Sequence, residues 1–387
     1  MADPFRPFTV VRKVRESEVI TSFHLVPQDG AALWPALPGQ YLTLRLPVPG
    51  GPLRTYSISS DVADGKGYRI SVKREAAPGV PEGLGSCWLH DRVAEGDTVE
   101  IAAPRGSFVL DEASERPVLL LAGGVGVTPL LSMLHRLAQG QRRVFFVQAC
   151  ENGAVHALRD EVSALAAASG GRIVARSLYR APTAADRAAG AHGAEGLVDA
   201  AFLQALLPLD DYEVYLCGPT PFMVAMWRVL TGLGLREDDI RYEFFGKQTS
   251  LPRLAAEGTR AALRVHVPAA APAAIAGLAH LTNPAARGIE DGNPVPPVAA
   301  PADGPSVVFA RSGREVAWTG SAANLLELAE AAGLEPEFSC RAGLCNTCRT
   351  GLSEGRVTYL EQPLTDPPAG TVLLCCSRPE GQVVLDL

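Results

Sequence analysis

The 387 residues are 47% hydrophobic and 20% charged, with a formal net charge of −7, the profile of a globular enzyme of two or three domains and not of a disordered tail. No basic footprint marks a nucleic-acid binder. The one long apolar run, PVLLLAGGVGVTPLLSML, contains three glycines and an internal Pro129, which makes it strand, loop and helix and not a membrane span.

MADPFRPFTV offers no apolar segment for a signal peptide, so the expectation is a soluble, cytoplasmic, monomeric protein. In that setting eight cysteines point to metal or redox chemistry over disulfides.

Residues 6–113 are strand-rich. FTVVRKV, YLTLRLPV, RTYSIS, YRISVKR and TVEIAAP alternate or run apolar between Gly, Pro and Asp signals. About six such strands predict a small antiparallel β-barrel, with one helix near GLGSCWLHDRV. Taken alone, RTYSIS is an ordinary strand with a solvated arginine. It is accompanied by PGQY, by SVKRE one strand later, and by GLGSCWL, which places Gly85 and Ser86 at a helix start where phosphate binding is favoured. Together these resemble the R-x-Y-S flavin site of the ferredoxin–NADP reductase superfamily. The resemblance implies Arg54 on a flavin phosphate, Tyr56 along the isoalloxazine and Ser57 at flavin N5. It adds Tyr41, Thr55, Val72, Lys73, Gly85 and Ser86 to the same site.

From residue 114 to 247 the pattern changes. RPVLLLAGG, RVFFVQA, GRIVARSLY and YEVYLCGP alternate with helical stretches such as TPLLSMLHRLAQ and PFMVAMWRVLTGLG, which predicts a doubly wound α/β domain. AGGVGVTP follows a buried strand and opens a helix, yet lacks the third glycine of the G-x-G-x-x-G fingerprint. It is similar to the nicotinamide loop of the same superfamily, which implies Gly123, Gly124, Gly126 and Thr128 at a pyrophosphate. LCGPTPFM resembles the superfamily's C-G-x loop, with Cys217, Gly218 and Pro219 beside the nicotinamide and Cys217 as a positioning group. YEFFG resembles the terminal segment whose aromatic residue, here Phe245, covers the flavin.

Over residues 6–247 the resemblance is to the reductase portion of flavohaemoglobins. The chain starts where a globin would end, so nitric oxide dioxygenase activity is not expected of this chain alone. The resemblance favours FAD over FMN. Glu151 in QACENG would repel a 2′-phosphate whereas Arg176, Ser177 and Arg180 would attract it, and NADH is favoured over NADPH.

Residues 248–304 lose periodicity and become rich in Ala and Pro. They are read as a linker, partly ordered in its first half, with a root-mean-square span of roughly 40 Å. Residues 305–387 carry 6 Arg, no Lys and 10 acids, a net of −4, a charge suited to a basic partner surface or simply to solubility. Here SVVFARSGREVAWTG predicts a hairpin and Leu325, Leu326 and Leu328 the apolar side of a helix.

FSCRAGLCNTCRTG spaces Cys340, Cys345 and Cys348 as C-x4-C-x2-C, and LLCCSRP follows with Cys375 and Cys376. Structural zinc sites pair short C-x2-C units; this spacing fits a plant-type [2Fe–2S] cluster. The segment resembles plant-type ferredoxins of the β-grasp (α+β) fold, and more closely the C-terminal module of the phthalate dioxygenase reductase family. That resemblance makes Cys375 the fourth ligand and Cys376 a packed neighbour. The reading also takes the doublet as extended, with its two side chains on opposite faces.

Seven histidines show no C-x-H pairing, so no Rieske centre is expected in the chain itself. His156 is read as a helix-face residue, and Cys87 and Cys150 as packed thiols. Nicotinamide, flavin and cluster in that order imply an NAD(P)H-dependent reductase feeding a separate terminal oxygenase, Rieske-type above others. The alternatives are a reductase for a haem or hybrid-cluster protein, and a redox-inactive binding module.

Overall fold

The computed structural model describes residues 5–47, 53–75, 84–190, 192–245, 251–252, 254–256, 305–320, 322–338, 343–344, 346–360 and 362–387. Most of the expected linker lies outside these residues, as do Cys340 and Cys345.

The first module is an antiparallel sheet of β1 (Phe5–Arg15), β2 (Ile20–Pro27), β3 (Tyr41–Arg45), β4 (Leu53–Ser57), β5 (Tyr68–Lys73) and β6 (Thr98–Arg105), in the order β4-β3-β6-β1-β2-β5. A bridge between Ile58 and Ile70 brings its two edges together, so the sheet closes into the expected barrel. The period of two explains the core. Phe8 and Val10, Leu42 and Leu44, Ile70 and Val72, and Val99 and Ile101 each sit two apart and point inward. Helix α1 (Leu84–Arg92) closes one end, where Leu89 and the following Val93 join that core.

The second module has a parallel sheet of β7 (Val118–Gly123), β8 (Val144–Cys150), β9 (Ile173–Tyr179), β10 (Ala194–Glu195), β11 (Glu213–Cys217) and β12 (Ile240–Glu243), in the order β10-β9-β8-β7-β11-β12. The central strand β7 is buried on both faces, as parallel strands must be. Val118, Leu120 and Ala122 pack towards α2 (Val127–Ala138) and α3 (Arg159–Ala168). Leu119 and Leu121 face α5 (Ala200–Leu206) and α6 (Thr220–Gly232), the short α4 (Ala184–Ala188) preceding α5 in the chain. The strand order reverses between β7 and β11, which places a crevice at their carboxyl ends. Beyond the described end of β12, Leu251 and Ala255 lie buried in this same core.

The third module has a five-stranded mixed sheet, in the order β14-β13-β19-β15-β17, and a separate β16-β18 pair. Its strands are β13 (Ser306–Phe309), β14 (Arg314–Ala317), β15 (Arg349–Glu354), β16 (Val357–Tyr359), β17 (Thr371–Leu373), β18 (Ser377–Pro379) and β19 (Val383–Leu385). Helix α7 (Leu325–Ala331) starts at Asn324, whose side chain accepts the Glu327 N–H at 3.0 Å. It buries Leu325, Leu326, Leu328 and Ala329 against Val307, Phe309 and Leu385. Each fully buried leucine there contributes about 2 kcal/mol. No helix among the described residues is long and apolar enough to cross a membrane.

One ion network joins the first two modules. The Arg69 guanidinium donates to Glu161 at 2.7 and 3.0 Å, His135 Nε2 lies 2.6 Å from the same carboxylate, and Arg69 Nε donates to Ser59 Oγ. Burial alone would push the Glu161 pKa up, but the hydrogen bonds from His135 and Arg69 outweigh it and hold the carboxyl at about 2. A depressed carboxyl adds stability above its unfolded pKa and loses it as the pH falls towards the folded value. Glu161→Gln is therefore expected to cost about 2–3 kcal/mol at pH 7. In denaturant titrations its deficit against wild type should shrink steadily from pH 4.5 towards pH 2.

His156 departs from expectation. It precedes α3 instead of lying on it, because Leu158 takes a left-handed φ of 60° and starts the helix one residue later. The ring is buried, with Nδ1 2.8 Å from Tyr179 Oη and Nε2 3.1 Å from Gln148 Oε1. Burial lowers its pKa to about 4, so it is a neutral core histidine.

Candidate redox site

A cavity of about 330 Å³ opens between the first two modules, lined by Arg54, Thr55, Tyr56, Ser57, Ser71, Val72, Lys73, Glu75, Gly85, Ser86, Val125, Thr128 and Phe245. The elements explain the convergence. The bridge between Ile58 and Ile70 sets the end of β4 beside β5, so Ser57 and Val72 face one space. The first turn of α1 then crosses it. Gly85 is required there, because a Cβ would lie 2.7 Å from Arg54 Cγ and 2.9 Å from Tyr56 Oη. Ser86 Oγ accepts the Glu75 N–H at 3.1 Å and fixes the chain leaving β5. Burial raises the Tyr56 phenol well above its ordinary pKa, which keeps it a protonated hydrogen-bond donor.

Tyr41 is not in that lining. It faces Ser57 across the β3–β4 register, is 8% exposed, and packs its ring under Gly106. Phe245 sits at the cavity with 45% of its surface exposed.

The two nicotinamide-type loops meet at the crevice between β7 and β11. A Cβ on Gly126 would fall 2.1 Å from the Cys217 carbonyl oxygen and 2.7 Å from the Gly218 nitrogen, and one on Gly218 would fall 2.9 Å from Gly123 Cα. Gly123 is also hemmed by Pro219 and Phe222. Gly124 has a left-handed φ of 52° with open space beyond it. Its backbone can therefore approach a ligand closely. Thr128 donates to the Val125 carbonyl at 3.1 Å, which steadies the turn into α2. Cys217 is wholly buried, and burial raises its thiol pKa well above the ordinary value. A neutral buried thiol of this kind is a poor nucleophile.

In the third module Cys348 and Cys375 are both buried in one core. The Gly343 N–H donates to Cys375 Sγ at 3.3 Å, the kind of bond that supports a cluster thiolate. The doublet is not extended. Leu374–Cys376 form a 3-10 turn, in which neighbouring side chains diverge by about a third of a turn, so the opposite-face argument does not apply. What separates the two cysteines is their bonding. Cys375 accepts from the loop, whereas the Cys376 thiol donates to the Leu373 carbonyl at 3.7 Å. Cys340 and Cys345 fall outside the described residues, and Cys87 and Cys150 are buried free thiols.

These features fit the groups they were expected to hold. The open space at Gly124 suits a phosphate contact, the Gly126 approach closes one loop on the other, and Cys348 and Cys375 are sulfur donors of the kind a cluster takes. Sequence reasoning missed Ser71, Glu75 and Val125 as lining residues; the parity of β5 (Ser71 two residues before Lys73) was the available signal.

Three family models match in order: an oxidoreductase FAD-binding domain at 7–110, an oxidoreductase NAD-binding domain at 120–228 and a 2Fe–2S iron–sulfur cluster binding domain at 309–380. A flavohaemoprotein of Bacillus thuringiensis subsp. konkukian is 43% identical over 252 residues, 64% of this chain and 62% of the relative. The chain thus spans less than two thirds of the curated relatives it matches. The flavohaem-like FAD/NAD-binding domain of nitric oxide dioxygenase from Vibrio cholerae O1 biovar El Tor matches at 38% identity and TM-score 0.56, over 62% of this chain and 99% of that one. A phthalate dioxygenase reductase structure, described as modular for electron transfer from pyridine nucleotides to [2Fe–2S], covers both chains fully at 25% identity and TM-score 0.52.

Proposed function

We propose, from a chain that belongs to the flavohaemoprotein-like FAD- and NAD-binding reductases and carries a 2Fe–2S module behind them, that it oxidises NADH and delivers single electrons to a separate redox protein. The balance is NADH to NAD⁺, one proton and two electrons, the electrons reducing two one-electron acceptors in turn. A bound flavin supplies the conversion between a hydride donor and a one-electron acceptor. The observation that carries the reading is the cavity shared by two modules, to which the barrel contributes Arg54 to Ser57 and the nucleotide module Val125 and Thr128.

The chain's own groups have separable tasks. Arg54 and the first-turn N–H groups of α1 would hold flavin phosphates, while Tyr56, Ser57, Val72 and Lys73 line the ring. Gly123, Gly124, Gly126 and Thr128 would receive the nicotinamide pyrophosphate, with Cys217, Gly218 and Pro219 packed behind it. Phe245 would cover the ring until nicotinamide replaces it. Cys340, Cys345, Cys348 and Cys375 would hold the cluster. Arg54→Ala should lower FAD retention at least about tenfold, the value of one lost charge-assisted phosphate contact; unchanged FAD content after gel filtration would remove Arg54 from the site.

Among the acceptors, a Rieske-type terminal oxygenase is favoured by the full-length likeness to phthalate dioxygenase reductase. A haem protein is the second reading, favoured by the flavohaemoprotein likeness of the first two modules. NADH-driven reduction of a purified Rieske oxygenase and of a ferric globin should be compared at equal concentration. Faster reduction of the Rieske centre supports the first reading, faster reduction of the globin the second, and neither would sink both.

NADH is favoured over NADPH by one pairing. Arg180 is held by Glu151 in two bonds of 2.7 and 2.8 Å, and Arg176 donates to the neighbouring Ala175 carbonyl. Glu151→Gln frees Arg180 and removes a repelling charge, so the NADH-to-NADPH ratio of kcat/KM should fall by roughly tenfold. An unchanged ratio would place nucleotide selection elsewhere.

A further inference from the structure

The barrel and the third module touch through Arg105, at the end of β6. Its guanidinium donates through Nη1 to the Gln362 carbonyl and through Nη2 to the Pro363 carbonyl, the latter at 3.4 Å. Both ends of this contact lead to candidate redox groups. On the barrel side Arg105 faces Tyr41 across the β3–β6 register, and Tyr41 faces Ser57 across the β3–β4 register. On the other side Leu364, next to Pro363, donates its N–H to the Gly343 carbonyl at 3.0 Å, and the Gly343 N–H donates to Cys375 Sγ. A short run of backbone therefore connects the strand end beside the flavin cavity to a candidate cluster cysteine, and the Arg105 side chain bridges the barrel and the third module.

We propose that Arg105 is the docking residue that seats the 362–364 segment, and with it Gly343 and Cys375, on the flavin barrel, and that this seat is releasable. The chemistry of the contact supports release. A guanidinium meeting two neutral carbonyls fixes direction through its planar fork without the strength of a charge pair. The apolar cores do not merge across it: the barrel core holds only residues 8–101 and the third-module core only residues 307–387. Polar interfaces of this kind between domains favour relative motion. Docked, the Gly343 and Cys375 side of the third module is placed to receive electrons at the barrel; undocked, the same edge is free for an acceptor.

The inference rests on the flavin and cluster sites proposed above, and its test separates the two. Arg105→Ala and Arg105→Lys would be made in the full-length holoprotein. Hydrogen exchange and small-angle scattering provide readouts independent of activity. Arg105→Ala should lose protection over residues 362–364 and across the end of β6, and should gain radius of gyration, with melting of the barrel unchanged. Arg105→Lys, one donor in place of the fork, should fall between. In anaerobic rapid mixing with NADH, flavin bleaching should keep its wild-type rate while cluster bleaching slows by about tenfold or more, the equivalent of one charged hydrogen bond. If exchange, scattering and the ratio of the two rates all match wild type in Arg105→Ala, Arg105 is not the docking residue. If wild type itself shows no cluster bleaching, the proposed electron path fails instead.

Discussion

Cys375→Ser should yield a protein that keeps its flavin and loses its iron and sulfide, whereas Cys376→Ser should keep both. The two side chains are adjacent, equally buried and on one 3-10 turn, so the difference comes from what each sulfur bonds. Cys375 Sγ receives the Gly343 N–H, a bond that would stabilise a thiolate ligand there. The Cys376 thiol is turned to the Leu373 carbonyl and fills the space beside Gly343, where a Cβ would meet it at 3.0 Å. Serine at 376 can keep that bond to the carbonyl. Serine at 375 offers a hard, protonated oxygen where sulfur is required. Iron and acid-labile sulfide per chain, with the visible spectrum, decide it. Cluster loss in the Cys376 variant alone would reverse the assignment.

Gly126→Ala should be the most damaging single-methyl change in the nicotinamide module. The added Cβ would sit 2.1 Å from a backbone oxygen at Cys217, and neither loop can yield without parting β7 from β11 at their carboxyl ends. Overpacking of this kind costs about 1–3 kcal/mol, and here the displaced atoms belong to the site. The expected result is a lower denaturation midpoint and a KM for NADH raised more than tenfold, with FAD content unchanged. Gly124→Ala is the comparison for stability alone. Its Cβ meets no protein atom, so the fold is penalised only through the left-handed φ of 52°, by about 1–2 kcal/mol, while NADH affinity is expected to fall because that space would receive the pyrophosphate. An equal drop in denaturation midpoint in the two variants would show that conformation and not loop contact sets the glycine requirement for folding.

Much of the architecture was legible because its signals are local. Period-two burial in FTVVRKV and TVEIAAP gave the barrel, and the strand–helix alternation gave the parallel sheet. Leu325, Leu326 and Leu328 marked the buried side of α7. The flavin and nicotinamide motifs were legible only in company. RTYSIS alone is a strand, and AGGVGVTP lacks a glycine that the ordinary fingerprint needs; in it Gly126 packs on the Cys217 loop. The conformation of the doublet was misjudged because two adjacent cysteines carry no local signal that distinguishes a strand from a 3-10 turn. His156 was misjudged because Leu158, a residue without turn propensity, adopts the left-handed region. Arg69–Glu161 and Arg105–Gln362 join residues 92 and 257 apart. Each arginine looks like any solvated one until the modules assemble, so no sequence pattern could announce it.

The most direct test of the central claim is anaerobic rapid mixing of the full-length holoprotein with NADH, following flavin and cluster bands in one experiment. The flavin band should bleach first and the cluster band second, the second phase disappearing in Cys375→Ser. Cluster reduction without prior flavin reduction, or a flavin that bleaches while a fully loaded cluster stays oxidised, would contradict it.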